Sequence, residues 1–315
     1  MNEIFRKEVE KWVAALGSKD WPEVVEGRGA RKGVSSVLDD PNLLWMEDDW
    51  DDERENEAIE RIAKQGPDAP EFWTNKYIEK APTYWKEFYK RNTTNFYKDR
   101  HYLHVVYPDL APAQGSEGQE AADTPLHLLE VGCGVGNAVF PLLEINSRLR
   151  VHAFDCASSA VDLVRQHIAS IKAEERMDVS VCDLVRETPP VGLGSMDFVL
   201  CMYVLSAIAP AYHEDCFRKL AACLKPKGRL LMRDYALFDE AQLRFSKGSK
   251  LFDNFYVRQD GTCAYYFSTQ DMERLAKSSG LKVVENKYLR RQQQNRAQRK
   301  ARYRIWVHVV LEKDA

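Results

Sequence analysis

In the stretch LHLLEVGCGVGN, residues 126–137, a carboxylate and three glycines are spaced as a ligand cradle requires. Glu130 lies near the end of a short apolar run, and Gly132, Gly134 and Gly136 follow at two-residue intervals. Glycine suits a backbone that must turn sharply and let a ligand approach with no Cβ in the way. An acid just ahead of such a loop suits a cationic amino group. The competing pattern is the dinucleotide fingerprint GxGxxG, but it calls for glycine at position 137, which is Asn137. Asp155, nineteen residues past Gly136, closes the apolar run RVHAFD and can accept both hydroxyls of a ribose. Asp183 closes a third run in VCDL. One Asp alone is commonly a cap or turn former. Two at consecutive run ends behind a glycine loop point to a ligand.

Elements able to position these groups follow from periodicity. Strands are expected over 126–131, 149–154, 177–182, 196–202, 228–234, 281–288 and 303–311, and helices over 136–146, 157–172, 211–224 and 269–279. This alternation predicts an α/β fold, a seven-stranded Rossmann-like sheet with helices on both faces. An irregular block, 236–268, interrupts it. Ahead of the core, residues 3–16 place Phe5, Val9, Trp12, Val13 and Leu16 on one helical face, and an aromatic helical region over 70–91 is interrupted at Pro82. The expected organisation is a mostly helical extension over 1–110, a flexible linker over 111–125 (APAQGSEGQEAADTP), and a core over 126–315 with an insertion at about 236–268.

Composition narrows the classes. Apolar content of 44% with 30% charged residues is ordinary for a globular protein, and no apolar run approaches the ~20 residues of a membrane span. MNEIFRKEVEKW has neither a secretory apolar segment nor the composition of a transit peptide. The seven cysteines are scattered without a CxxC pair, which predicts reduced thiols in cytoplasm or nucleus and no zinc site. A net charge of −3 conceals strong asymmetry: Asp39 to Glu60 holds eleven acids and one base, Arg54, whereas Lys282 to Arg304 holds nine bases and one acid, Glu285. The acidic run reads as a surface helix that repels RNA or docks a protein; the basic run can gather phosphates.

The strand–loop–helix unit at 126–146 resembles the first motif of class I S-adenosylmethionine-dependent methyltransferases. In that setting Glu130 faces the cofactor's amino group and Asp183 takes the place that recognises the adenine amine. The fourth strand, MDFVLCMYVLSAI, lacks the NPPY-like signature with which such enzymes hold an exocyclic amine, so a nucleophile with a free lone pair is expected. Cys201 has no preceding Pro and sits mid-strand, which makes it a buried hydrophobe and not the attacking thiolate of a 5-methylcytosine mechanism. His213-Glu214-Asp215-Cys216 has no metal spacing and is expected to begin a helix.

Five segments carry a narrower resemblance: YWKEFYKRNTTNFYKDRHYL (84–103), LLEVGCGVGNAVFPLLE (128–144), YVLSAI (203–208), LLMRDYALFDEAQLRF (230–245) and NFYVRQDGT (254–262). Together, over roughly residues 70–312, they resemble the eukaryotic methyltransferase-like family that makes 3-methylcytidine in transfer RNA anticodon loops, of the position-32 type. The resemblance implies that Trp85 and Tyr89 fold onto S-adenosylmethionine beside Gly132, Asp155 and Asp183, with Met202 lining the adenosine pocket. It implies RNA contacts from Arg91, Asn92, Lys98, Arg100 and His101, and from Arg258 in NFYVRQDGT. Two departures stand out: Cys263 follows DGT where the family usually has a basic residue, and Ala236 follows RDY where it commonly has glycine; the first is expected to bear on RNA contact and neither to touch the cofactor pocket.

The chemistry implied is transfer to ring nitrogen 3 of cytosine, whose in-plane lone pair needs no deprotonation, so alignment is the main requirement. Asp234 is the candidate catalytic carboxylate, stabilising the shift of positive charge onto the base. No metal and no covalent intermediate are expected. The base must be unpaired or extruded, with Phe96, Tyr97, Phe255, Tyr256, Tyr265 and Tyr266 as candidate stacking platforms, some of which must instead be core. Lys287, Arg290, Arg291, Arg296, Arg299 and Lys300 are candidates to hold phosphates. The alternatives are a methyltransferase of a protein or small molecule, and an inactive RNA-binding partner of an active paralogue. Whether an aminoacyl-tRNA synthetase or another protein presents the tRNA stays open.

Overall fold

The computed structural model describes residues 45–47, 50–94, 96–112, 124–295 and 300–315. The helix expected over 3–16, residues 113–123 of the linker, Arg296, Arg299 and the side chain of Lys300 lie outside the described residues. The N-terminal segment supplies β1 (Trp45–Glu47), α1 (Asp52–Ala63), α2 (Glu71–Glu79), α3 (Ala81–Asn92) and α4 (Leu103–Val106). The core then runs β2 (Leu126–Val131), α5 (Val139–Ile145), β3 (Leu149–Asp155), α6 (Ser158–Ile171), β4 (Met177–Val181), β5 (Met196–Met202), α7 (His213–Cys223) and β6 (Leu224–Tyr235). The insertion holds α8 (Glu240–Leu243), β7 (Lys250–Phe252), β8 (Phe255–Val257) and β9 (Cys263–Tyr265), and the chain closes with α9 (Thr269–Ser278), β10 (Leu281–Asn295) and β11 (Lys300–Lys313).

The seven expected strands all form, and the main sheet gains an eighth: its order is β1-β10-β11-β6-β5-β2-β3-β4. Strands β2 to β5 pair in parallel, and the apolar runs of the central β2 and β5 are buried on both faces, as a sheet covered by helices on either side demands. From β2 the chain winds outward through β3 and β4, then returns to place β5 on the other side of β2. That reversal opens a crevice above the carboxyl ends of β2 and β5, where α/β sheets bind ligands. The glycine loop leaves β2 there and Tyr203 leaves β5 there.

The acidic and basic runs meet in space. β1 pairs antiparallel with β10, matching Glu47 with Arg291. Behind it Asp51 caps α1 by accepting the Arg54 N–H at 2.9 Å, and the helix exposes Asp52, Glu53, Glu55, Glu57 and Glu60. Arg54 packs on the Tyr303 ring of β11 and Arg290 of β10 on the Trp50 ring, at 4.5 and 5.3 Å. The surface helix expected for the acidic run is therefore anchored on the basic hairpin. Arg290 is held between Trp50 and Tyr288, and Arg291 donates to the Arg290 carbonyl at 2.9 Å.

The break between α2 and α3 falls at Lys80, two residues ahead of Pro82. Proline has no N–H to lose in a first helical turn, so Pro82 sits inside α3 and does not end it. Further on, Leu103, Tyr107 and Leu110 are buried among Leu142, Leu143 and Val310, and the Asn146 side chain donates to the carbonyls of Leu110 and Ala111 at 3.1 and 3.2 Å. The end of the extension is thus packed into the core.

The insertion corrects four expected stacking platforms. Phe255, Tyr256, Tyr265 and Tyr266 are all buried, because Phe255 and Tyr265 pack into the main core while Tyr256 and Tyr266 cluster with Phe245, Tyr256 stacking on it at 4.6 Å. Phe96 is exposed and Tyr97 half-buried. The insertion also reaches α3: Gly261 of the DGT turn has φ +85°, and a Cβ there would lie 2.3 Å from the Tyr84 ring. Only glycine lets the turn close on that ring.

Candidate active site

Helix α3 docks on the start of α6 through Phe88 and Tyr89 against Ala157 and Ala160, and Ser159 Oγ donates to the Lys86 carbonyl at 2.9 Å. This packing delivers Trp85 and Tyr89 to the glycine loop. Two cavities meet at Trp85, Tyr89, Gly132, Tyr203 and Ala207. The larger, about 310 Å³, is bordered by Asp155, Cys156, Asp183, Leu184 and Ile208. The smaller, about 60 Å³, is bordered by Glu130, Arg100, Met202, Tyr97, Tyr235 and Arg258.

Asp155 closes β3 with its carboxylate already holding the loop: Oδ2 accepts the Gly134 N–H at 2.9 Å and Oδ1 the Ala157 N–H at 2.8 Å. Burial pushes its pKa up, and those two donors oppose the rise. Each oxygen keeps a free lone pair for a ribose hydroxyl. Asp183 stands just past β4, accepting the Val185 N–H at 3.0 Å and pairing with Arg186 at 2.9 Å. Both carboxylates face the larger cavity, which has the apolar walls and polar ends an adenosine needs.

Glu130 is 3% exposed, and its Oε2 has no hydrogen-bond partner. Burial drives the carboxyl up to about 8, against the pull of the nearby Arg100 guanidinium. An orphaned buried carboxylate oxygen costs free energy unless a donor reaches it, and a ligand ammonium supplies both the proton donor and the charge. Beside it Gly134 brings its α-carbon against Tyr89. These groups fit S-adenosylmethionine: a carboxylate to accept from the amino group, a bare loop for close approach, and two carboxylates to accept from ribose and adenine.

Several side chains stand elsewhere than the sequence suggests. Arg100 turns inward to line the smaller cavity. Its backbone N–H donates to the Asn137 carbonyl at 2.7 Å, and its guanidinium lies on the Tyr203 ring at 4.7 Å, inside the smaller cavity. Arg258 is likewise drawn in, donating to Thr262 Oγ1 at 3.4 Å and the Cys263 carbonyl at 3.2 Å, over the Tyr235 ring. Met202 borders the smaller cavity, not the larger, because pairing of Val131 with Cys201 sets it level with Gly132. Asp234 is fully buried directly behind the wall of the smaller cavity, which Ser206 and Tyr235 help to line. It accepts the Ser206 and Tyr235 N–H groups at 3.0 and 2.9 Å and so holds the turn after β5. Cys263 is buried against the larger cavity and its thiol is raised to about 12, so the departure after DGT lies beside the cofactor region, against the expectation that it stays clear of it.

Of the remaining residues expected at RNA, Arg91 and Lys98 are exposed, His101 is half-buried, and Asn92 donates to the Phe88 carbonyl at 2.9 Å. Cys201 is a buried hydrophobe, and His213 opens α7 with Nε2 between the Leu205 and Ile208 carbonyls at 3.0 and 2.9 Å. The periodicity reading missed Leu184 and Tyr203. Leu184 follows Asp183 directly, so the signal was adjacency. Tyr203 adopts φ +62°, a left-handed conformation rare for a bulky residue, and its N–H donates to the Arg233 carbonyl at 2.9 Å. That turn aims its ring between Arg100 and Tyr235.

The family model described as a methyltransferase domain matches residues 129–230. The tRNA N(3)-cytidine methyltransferase METTL2 of Danio rerio is 35% identical over 315 residues, covering 88% of this chain and 87% of that protein. METTL6 of Rattus norvegicus, with the same activity in its name, is 42% identical over 230 residues, covering 71% and 77%. Among solved structures, the 1,6-didemethyltoxoflavin-N1-methyltransferase of Burkholderia thailandensis, crystallised with S-adenosylhomocysteine, aligns with a TM-score of 0.52 at 15% identity, over 79% of this chain and 93% of that one. That likeness shows the class I fold. The METTL2 and METTL6 relatives go further, and on their identity and coverage this chain belongs to the tRNA N(3)-cytidine methyltransferase family.

Proposed function

We propose that this protein methylates ring nitrogen 3 of a cytidine in the anticodon loop of a tRNA, and that Arg258 aligns the base. S-adenosylmethionine supplies an electrophilic methyl carbon. The observation that carries the reading is the wall of the smaller cavity opposite Glu130: Arg258, Tyr97, Tyr203 and Tyr235. Cytosine carries its O2 acceptor next to nitrogen 3, so a fixed guanidinium donating to O2 holds the neighbouring lone pair in one direction. Arg258 is fixed from behind by Thr262 and Cys263. The transfer moves a positive charge from sulfur to the ring without creating one, and surrounding tyrosine faces favour a cation throughout that path. Alignment then supplies most of the rate.

Exposed Phe96 and Lys98 neighbour Tyr97 in the chain and, with exposed Arg91, supply charge and one stacking face for a splayed loop. Arg290 and Arg291, on the basic hairpin, are assigned to phosphates further along the RNA. A synthetase or another protein that presents the tRNA is compatible with this arrangement.

Nucleoside mass spectrometry of tRNA incubated with the protein and S-adenosylmethionine tests the reading. New 3-methylcytidine is expected with wild type and none with Asp183→Ala. An unchanged nucleoside profile, with cofactor binding intact, would defeat the proposal for the chain acting alone. Arg258→Ala is expected to lower kcat by about 100-fold, the worth of one well-placed charged donor. Its affinity for S-adenosylhomocysteine should stay within a factor of about two of wild type; equal losses in both would show that Arg258 merely supports the fold.

A further inference from the structure

Strand alternation gives the basic hairpin of β10 and β11 two faces. On one, Tyr303 and Arg290 carry the acidic helix segment through Arg54 and Trp50. On the other, Tyr107 of the extension stacks on His308 at 4.9 Å. Two residues nearer the hairpin tip, Trp306 is half-buried and joins no apolar cluster of the described residues. Its cross-strand partner is Tyr235, which lines the smaller cavity. Trp306 therefore lies outside that cavity by one strand spacing, about 5 Å. Arg304, on the same face, sets its guanidinium over the Trp306 ring at 5.2 Å.

Resting on the tRNA reading above, we infer that Trp306 and Arg304 form a binding site for one nucleotide of a single-stranded RNA loop, the neighbour of the target cytidine, with its base on the indole and its phosphate on the guanidinium. Arg304 is anchored for this. Its Nε donates to Asp239 Oδ2 at 2.8 Å, and Asp239, fully buried, is itself fixed by the Ile305 and Ala241 N–H groups, each at 2.8 Å. Burial opposes the Arg304 charge, but Asp239 and the hydroxyls of Tyr235 and Tyr203 outweigh it and raise the pKa. Among the described residues its two terminal nitrogens have no hydrogen-bond partner, and the side chain is 26% exposed. A planar fork fixed through one nitrogen and open at the other two suits a phosphate. A half-buried indole beside it suits a base. The exposed carboxylates of α1, on the opposite face, repel phosphates and so favour this side. The nucleotide held here is the target's neighbour because the target base takes the cavity that Tyr235 walls, one strand away.

Fluorescence anisotropy on the full chain tests the site, with synthetic anticodon stem-loop RNAs in which single loop nucleotides are made abasic. Trp306→Ala is expected to weaken the intact loop about tenfold, as loss of one stacked base requires, and Trp306→Phe to keep most of the binding. The RNA made abasic at one neighbour of the target cytidine should bind wild type about tenfold more weakly. Trp306→Ala should weaken that RNA no further, since the two changes remove one interaction. Arg304→Gln should lower the slope of log affinity against log salt by about 0.7, and Arg304→Lys should leave it near wild type. S-adenosylhomocysteine affinity within about twofold of wild type reports that each variant is folded. Equal weakening of every RNA by Trp306→Ala would overturn the inference in favour of a structural role. Unchanged affinity for every RNA, or coupling only to a loop position that does not neighbour the target, would overturn it as well. No 3-methylcytidine from wild type, with the coupling intact, would sink the reaction proposed above and leave the nucleotide site standing.

Discussion

Affinity for S-adenosylhomocysteine is expected to rise about tenfold per pH unit from pH 6 toward pH 8, and Glu130→Gln should abolish both the rise and most of the binding. The cause is the burial that raises the Glu130 carboxyl from its ordinary range to about 8. At neutral pH most cofactor-free molecules hold it protonated, and an incoming ammonium must bind the ionised minority or drive off the proton. The climb should level near pH 8, where Glu130 is ionised and the free ligand's own amino group begins to lose its proton. Stability in the absence of ligand has the opposite sign. A folded-state pKa above the unfolded value gives stability that is fully present below about pH 4.5 and lost as pH rises through about 8. The slope in that window is at most about 1.4 kcal/mol per pH unit. Glu130→Gln, neutral at every pH, should therefore melt higher than wild type at pH 8 without ligand, and the two melting curves should converge near pH 5. Parallel pH profiles for the two proteins would show that Glu130 is already satisfied in the free state.

Gly134→Ala is expected to weaken S-adenosylhomocysteine binding by at least about 100-fold, and a second change, Tyr89→Phe, to restore about tenfold of that loss. Gly134 has φ +54°, and its ideal Cβ would stand 2.5 Å from the Tyr89 hydroxyl oxygen and 3.2 Å from the ring carbon that bears it. The left-handed backbone costs alanine about 1–2 kcal/mol. The collision matters more, because Tyr89 cannot yield freely: it is 7% exposed and packed against Trp85 and Phe88. Alanine must therefore push α3 off the glycine loop or distort the loop that donates its N–H to Asp155. Removing the hydroxyl leaves a tight contact in place of an overlap, which is why rescue should be partial. The check is a double-mutant cycle read by calorimetry. Additive losses, with no rescue, would mean that backbone strain alone accounts for the single variant.

How far the chain could be read before folding is clearest from three kinds of residue. The seven core strands, the glycine loop, and the carboxylates of Glu130, Asp155 and Asp183 are legible in the sequence, because strand period and strand-end position depend on near neighbours and a fixed spacing. The glycines need no context either, since left-handed backbone and close approach select them wherever they occur. Charged and aromatic residues on irregular segments are the opposite case. Arg100 and Arg258 look alike in sequence to Lys98 and Arg91, as cations in aromatic, basic stretches. Only the bond from Arg100 to Asn137, and the closing of the DGT turn on Tyr84, draw the first two inward and leave the others at the surface. Phe255, Tyr256, Tyr265 and Tyr266 read equally well as base platforms or as core until tertiary packing buries them. The acidic and basic runs look like independent surfaces more than 200 residues apart, and pairing of β1 with β10 makes them neighbours. The sequence by itself determined the fold and the cofactor's carboxylates, because those rest on local periodicity. Which cations turn inward to the cavities, and which carboxylate holds the turn after β5, was decided by the tertiary structure, because the direction of a side chain on a loop is set by whatever packs behind it.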